Sequence, residues 1–483
     1  MIAPEVGENK FDTEILESVE QSRTRRVDTV FSDQDRYGIK PVGLGSGFGL
    51  RAAGRRDLIE NVKIAIAGGG IGGLTLALSL FDAGIEDVRV YESAPEIKEL
   101  GVGINVLPHA VRELAELGLL DDLYGVAIPT QELVYYSKTG QRIWGEPRGL
   151  AAGYKWPQFS IHRGDLQTLL QRAVVKRLGA SRVITGHHLA RFGQEGETVW
   201  GEFIDRQSGA GAGRAEADLL VACDGVHSTV RRAFYPDEGP PKWNGVTMWR
   251  AVTVGKPFLT GRSMIMAGTF ARRVVVYPIS KKHEDRGESL INWVAELKTA
   301  DDQPMPVQDW EFIADRAEVL KAFGSFQFDF LDVPDMIRKA STIYQYPMVD
   351  RDALPAWNRG RVVLLGDAAH PMYPVGSNGA SQAIIDARVL ARELALRPSI
   401  EEALSAYDAE RRPATAAVVA ANRKVGPELC MEIVEERAPN GFTKIEEIIP
   451  LTELEAISAR YKVTAGFDPN VLNGRASLSV RRG

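Results

Sequence analysis

Along this chain, apolar residues are sparse and aperiodic over the first sixty positions and then abruptly concentrated. Residues 1–60 are polar and charge-mixed, with one short amphipathic candidate (Phe11, Ile15, Leu16, Val19) followed by Arg23-Thr24-Arg25-Arg26. Such a stretch buries little apolar surface by itself, and it reads as a partly disordered N-terminal extension. Its Gly45-Ser46-Gly47-Phe48-Gly49 run has no apolar strand before it and no helical period after it. A flexible linker is therefore expected there rather than a phosphate loop.

At Val62 the pattern changes. Val62-Lys63-Ile64-Ala65-Ile66-Ala67 is a short β-branched run of the kind that makes a strand buried on both faces. Glycines follow at once, then the helical run Leu74–Leu80, then Gly84 as its stop. A second strand, Val88-Arg89-Val90-Tyr91, closes on Glu92 and completes a βαβ unit. Asp218–Cys223 and Arg361–Leu365 are two more strand-like runs, each ending in a Gly/Asp turn that leads into a helical segment. Between them, residues 241–345 are rich in β-branched and aromatic positions, and Val274–Tyr277 and Leu290–Val294 predict strands of a separate sheet. Helical spacing prevails from about residue 380 to about 435, and no internal repeat is visible. The expected class is α/β: a Rossmann-like domain, an inserted β-sheet domain and a helical C-terminal region.

Composition narrows this further. With 483 residues, two to three domains are expected. The 44% hydrophobic and 25% charged fractions are ordinary for a globular protein and exclude a wholly disordered, collagenous or coiled-coil chain. Lysine and arginine total 58 against 64 acidic residues, and no segment is strongly basic, so a nucleic-acid partner is not expected. Two cysteines, Cys223 and Cys430, make no disulfide framework and point to a reducing compartment. No apolar run approaches the ~20 residues of a membrane-spanning helix. The start Met1–Glu5 lacks the features of a secretory signal, and Glu5, Glu8, Asp12, Glu14, Glu17 and Glu20 argue against a transit peptide. A cytoplasmic protein, monomeric or homodimeric, is expected. None of the seven histidines has metal-site spacing, so no metal is expected.

The chemistry is carried first by Gly68-x-Gly70-x-x-Gly73. Gly68 permits the tight turn, Gly70 lets the backbone approach a pyrophosphate, and Gly73 lets helix and strand pack closely. The helix that follows offers free N–H groups and partial positive charge to phosphates. Glu92 lies 19 positions beyond Gly73, at the distance expected for an acid that accepts from an adenosine ribose. A glycine pattern alone is weak; strand, helix, second strand and acid together are strong. Taken alone the unit does not separate FAD from NAD.

Gly366-Asp367-Ala368-Ala369-His370-Pro371, just after an apolar strand, does separate them. With Arg163 in Ile161-His162-Arg163-Gly164-Asp165-Leu166 and Asp224-Gly225 in Cys223–Ser228, it makes an ordered set over residues 62–425 that resembles the class A flavoprotein aromatic hydroxylases. Leu100–Asn105, Thr247–Arg250, Tyr346–Asp352 and Met372–Gln382 resemble the phenazine-modifying members of that family. The extension over 1–60 departs from the family's pattern.

The resemblance implies a glutathione-reductase-type FAD-binding domain (61–131, 157–240 and 346–425), a substrate domain (132–156 and 241–345) and a helical C-terminal region (426–483). It implies FAD bound permanently, with NADH or NADPH visiting as co-substrate. Its cofactor-binding positions fall on Gly68, Gly70, Ile71, Gly72, Gly73, Glu92, Ser93, Gly103, Asn105, Arg163, Leu189, Asp224, Gly225, Asp367, Gly376, Ser377, Asn378, Gly379 and Ala380. Among these, Asp367 and Arg163 would serve the ribityl and phosphate side of FAD. The Gly376–Gly379 backbone would favour negative charge on the reduced ring. Pro374 resembles the residue whose carbonyl faces the reactive flavin oxygen, a C4a-hydroperoxide, although a tight-loop proline explains it equally well. Trp249, Arg250, Tyr277 and Trp293 are pocket candidates, with plain core packing as the alternative for each. His370 reads as structural.

The implied activity is hydroxylation of an aromatic or heteroaromatic substrate with O₂, a phenazine-like carboxylic acid among the candidates, with or without decarboxylation. That chemistry belongs to secondary metabolism. Rival readings are an FAD oxidoreductase that inserts no oxygen and a binding protein of the GDP-dissociation-inhibitor type. A flavin halogenase would need a Trp-x-Trp-x-Ile-Pro segment, which the sequence lacks.

Overall fold

Strand Ile64–Ala67 is buried at every position, which is why its sequence shows no alternation. It is central to a six-stranded sheet ordered Asn358–Arg359, Val362–Leu364, Leu219–Ala222, Ile64–Ala67, Val88–Tyr91, Val183–Ile184. Every neighbouring pair is parallel except at the Asn358–Arg359 edge. Helix Ile71–Asp82 packs against helices Arg163–Leu178 and Gly379–Leu396. In consequence the chain leaves four adjacent strands at one common edge, through Gly68, Glu92, Cys223 and Leu365. That carboxyl edge is where open α/β sheets hold ligands. The computed structural model describes residues 62–97, 101–299, 305–306 and 312–480. The expected extension over 1–60, its Gly45–Gly49 run, and Leu100 lie outside the described residues.

A seven-stranded sheet forms a second layer, ordered Tyr344–Asp350, Lys242–Gly255, Ser289–Lys298, Arg272–Pro278, Ser263–Thr269, Glu132–Tyr136, Arg142–Pro147. It contains both strands predicted from the 274–277 and 290–294 runs. Tyr344–Asp350 straddles the boundary expected at residue 345, because it pairs along Lys242–Gly255. The sheet is buried on both faces. One face packs Ile265, Val276, Trp293 and Trp249 on helices Arg316–Phe323 and Val333–Lys339. The other turns Met248, Met264, Met266, Val275 and Tyr277 toward Tyr373, Val375 and the C-terminal helices.

Those helices are Gly379–Leu396, Ile400–Arg423, Leu429–Arg437 and Leu451–Thr464. The last two close over the second sheet's inner face through Cys430, Met431, Val434 and Leu454. The antiparallel meander His188–Glu195, Thr198–Ile204, Gly211–Ala217 gave no sequence signal. Its strands are interrupted by Gly193, Gly201 and Gly213, which erase the apolar alternation. No helix among the described residues is long and apolar enough to cross a membrane.

Candidate active site

The glycine loop is built by contacts that exclude side chains. Gly68 has φ +112°, and a Cβ there would overlap the Cys223 carbonyl oxygen of the neighbouring strand. A Cβ on Gly73 would overlap the Gly68 carbonyl, and one on Gly72 would come within 2.9 Å of the Leu365 side chain. Gly70 differs: nothing lies within 4 Å of where its Cβ would be. The turn is packed on the protein side and open at Gly70, at the start of helix Ile71–Asp82. A phosphate needs that arrangement. Ile71 is half-buried in the first helical turn.

Glu92 reaches this loop. Its carboxylate accepts from Gly69 N at 2.7 Å, from Ala94 N at 2.8 Å and from Ser93 Oγ at 3.1 Å. Gln167, on helix Arg163–Leu178, donates to Gly69 O at 2.8 Å and ties a third element to the turn. Arg163 opens that helix beside Gly101, with its backbone N–H on Val102 O. Its guanidinium is exposed and makes no hydrogen bond or ion pair with the described residues.

Asp224 sits where Leu219–Ala222 leaves the sheet. One carboxylate oxygen accepts from Thr229 N at 2.8 Å, while Oδ1 is buried without a partner. Burial pushes its pKa above the ordinary range. Gly225 beside it is in the left-handed region with open space around it. Asp367, in the turn after Val362–Leu364, is exposed and its carboxylate meets no donor among the described residues. The turn itself is fixed from below, because Asp386 accepts from Gly366 N at 3.2 Å and lies 2.5 Å from His370 Nε2. Arg411 Nε donates to the same carboxylate at 2.7 Å. Burial would raise the Asp386 pKa, but His370 and Arg411 outweigh it and hold it low. His370 is thus a structural partner of the turn.

The third part is the loop Pro374–Asn378. Pro374 is exposed, while Gly376 and Ser377 both take positive φ, +64° and +58°. Asn378 caps helix Gly379–Leu396, Gly379 is open, and Ala380 is half-buried in the first turn. Ser377 Oγ accepts from Asn105 Nδ2 at 3.4 Å, and Asn105 Oδ1 accepts from Ser160 Oγ at 2.6 Å. Gly103 N donates to Asn292 Oδ1 at 2.6 Å, and Gly103 O receives Tyr277 Oη at 3.0 Å and Arg250 Nη2 at 2.8 Å. The segment containing Gly103 is therefore tied to the second sheet. Tyr461, from helix Leu451–Thr464, lies directly on Gly376, where any Cβ would overlap its ring. Its hydroxyl contacts Asn378 Nδ2, Val375 O and Asn422 Oδ1 at 2.7–3.1 Å.

Two cavities flank this loop and share Met264, Met266 and Ser377. One, of about 50 Å³, is lined by Met248, Val275 and Val294 together with Arg250, Tyr277 and Pro374. Arg250 Nε is buried there without a partner. Arg273 lies in the same wall between Glu296 at 2.5 Å and Glu428, and burial pushes Glu428 up to about 7. The other cavity, of about 20 Å³, is lined by Tyr461, Phe467, Arg148 and Lys462.

Of the expected pocket residues, Arg250 and Tyr277 line the first cavity and Trp249 and Trp293 do not. Strand alternation turns both indoles to the outer face, where Trp249 Nε1 donates to Gln345 and Trp293 Nε1 to Thr253. Leu189 is in the hydrophobic core with Val199 and Phe203. Arg148, Asn292, Glu428, Tyr461 and Lys462 were not predicted. Their sequence neighbourhoods read as ordinary strand ends and an amphipathic helix, and only tertiary contact brings them here.

The donor set fits a dinucleotide. An open helix start at Gly70, an acid held on the glycine turn, a guanidinium with no partner among the described residues and two carboxylates with free acceptor sites together suit the pyrophosphate, ribose and ribityl hydroxyls of a dinucleotide.

Comparisons with known proteins agree. The family described as FAD binding domain matches residues 61–422. The phenazine 1,6-dicarboxylic acid hydroxylase PhzS of Lysobacter antibioticus is 47% identical over 361 residues, 74% of this chain and 89% of that protein. The 3-amino-4-hydroxybenzoate 2-monooxygenase of Streptomyces cremeus is 32% identical over 76% of this chain and 88% of that protein. In structure, Klebsiella pneumoniae HpxO complexed with FAD and uric acid aligns with a TM-score of 0.65 at 23% identity, covering 86% of this chain and 97% of HpxO.

Proposed function

The chain belongs to the FAD-binding-domain family and is an FAD-dependent aromatic monooxygenase, and from that premise we propose that it hydroxylates a planar nitrogen-heteroaromatic carboxylic acid of the phenazine type. The observation that carries this is the cavity beside Pro374: methionine and valine walls, with Arg250 at one end and its Nε unpartnered. A flat aromatic ring suits the walls, because Met side chains adapt to irregular aromatic surfaces. A carboxylate on the ring satisfies the guanidinium, a geometry Arg matches with paired donors.

FAD, when bound, supplies the redox chemistry, taking two electrons from NADH or NADPH and activating O₂. One oxygen atom enters the ring and the other leaves as water. The protein's share is placement and dryness. Glu92, Arg163, Asp224 and Asp367 would hold the cofactor's polar parts. The Asn378 and Gly379 N–H groups, at the start of helix Gly379–Leu396, would favour negative charge on its ring system, and Pro374 lines the cavity read as the substrate's. The apolar sheet face and Tyr461 keep bulk water from the reacting centre. A reducing, cytoplasmic location suits a free, buried Cys430.

The test is aerobic NADH and NADPH oxidation by FAD-loaded protein with phenazine-1-carboxylate, using ¹⁸O₂ and mass spectrometry of the product. Stimulated oxidation and one labelled oxygen in the product are expected, and retention or loss of the carboxyl mass separates simple from decarboxylative hydroxylation. Stimulation without label would instead identify an oxidoreductase that inserts no oxygen.

A further inference from the structure

The second cavity holds an imbalance of charge. Arg148 follows strand Arg142–Pro147, and its Nη2 lies 2.7 Å from Glu146 Oε2. Lys462, on the helix Leu451–Thr464, lies 2.6 Å from the other oxygen of the same carboxylate, which also receives Ser458 Oγ. Two cations thus share one acid. Burial would raise the Glu146 pKa, but Arg148 and Lys462 hold it below the ordinary range, so it is ionised and already committed to both. Arg148 Nε is buried and makes no hydrogen bond. Both cations line the cavity, and its other walls include Leu107, Leu133 and Phe467, which offer no anion. Glu428, a further buried acid, lines the other cavity and is held by Arg273.

An excess buried cation is costly unless an anion meets it, and this one borders a cavity of about 20 Å³ that an anionic group could enter. Met264, Met266 and Ser377 are common to both cavities, so a ligand lying across them reaches Arg250 at one end and Arg148 with Lys462 at the other. We propose that Arg148 and Lys462 form a second carboxylate subsite, so that the enzyme is selective for a planar aromatic dicarboxylate that bridges the two cation-lined ends. This rests on the reading of Arg250 as the first anchor. It also makes Lys462 a specificity-determining residue supplied from beyond residues 61–422, the part that matches the FAD-binding family.

The test is direct binding to the FAD-loaded full chain, read as quenching of flavin fluorescence, so that turnover is not required. Four probes are used: phenazine-1-carboxylate, phenazine-1,6-dicarboxylate, naphthalene-1-carboxylate and naphthalene-1,5-dicarboxylate. Wild-type protein is expected to bind each diacid roughly tenfold or more tighter than its monoacid, as a buried charge pair would give. Lys462→Met should collapse that ratio toward one, and Lys462→Arg should keep it. Equal binding of mono- and diacids by wild-type protein overturns the subsite whether or not the variant folds. So does an unchanged ratio in Lys462→Met. If the phenazine acids bind without a diacid preference, the subsite falls and the substrate reading stands. If only the naphthalene pair binds, with a Lys462-dependent preference, the subsite stands and the phenazine reading falls.

Discussion

The polar residues at the sheet's carboxyl edge divide by whether the protein already satisfies them. Asp367 and Arg163 are exposed and unpartnered, whereas Glu92 is held by three donors of its own chain. Asp367→Ala should therefore leave the fold intact and abolish tight FAD binding, measured as loss of the 450 nm absorbance after purification. A yellow variant would remove Asp367 from the site. Asp386 is the opposite case: it is fully buried and engaged by His370, Arg411 and Gly366. Asp386→Ala strands two buried partners and should destabilise the protein by about 3–5 kcal/mol in denaturant unfolding. Glu92, Arg163 and Asp367 were candidates from sequence because each sits at a fixed offset from a strand end; Asp386 was not singled out, because only its contacts with the turn reveal it. Arg148 and Lys462 have no such offset. The pair formed by Ser458 and Glu146 spans 312 positions, and nothing local in the chain announces it.

Among the elements, the seven-stranded sheet shows what a period of two can and cannot say. Trp249, Arg250, Tyr277 and Trp293 were all pocket candidates from the sequence, yet neighbours such as Trp249 and Arg250 must face opposite ways, and Trp293 stands opposite Val276 rather than Tyr277. The face was decided by helices Arg316–Phe323 and Val333–Lys339, which cover Trp249 and Trp293. Trp249→Phe should accordingly cost about 1–3 kcal/mol of stability, from a lost hydrogen bond and lost volume, while leaving substrate KM nearly unchanged. Arg250→Met should raise KM for an aromatic acid by roughly tenfold or more with little loss of stability. Steady-state kinetics and melts on the two variants separate the faces; the reverse pattern would mean the cavity is not the substrate's. The parallel sheet was readable because its strands are continuous apolar runs, and the meander was not because glycines break its alternation.

Across the whole molecule, Glu428 couples the C-terminal helices to the second sheet through Arg273, 155 positions away. Burial raises its pKa to about 7 from an ordinary 4.5. The folded state thus binds more protons than the unfolded chain between those values. The associated stability is fully present below about pH 4.5 and is lost as pH rises through about 7. Glu428→Gln, neutral throughout, should flatten the melting temperature between pH 5.5 and 8.5 and leave the variant at least as stable as wild type at the alkaline end. A wild-type curve that climbs across this window would overturn that account.

The seating of residues 426–480 has a practical corollary. They touch the cofactor half at Gly376, through Tyr461, and the sheet at Glu146 and Arg273, through Lys462, Ser458 and Glu428. The flavin machinery lies elsewhere in the chain. A chimaera carrying a relative's tail, with those three seats matched, would keep the oxidation engine and the Arg250 end of the pocket while exchanging the Lys462 end proposed to read a second carboxylate. Retargeting this enzyme is then a problem of grafting some fifty residues rather than redesigning a catalyst.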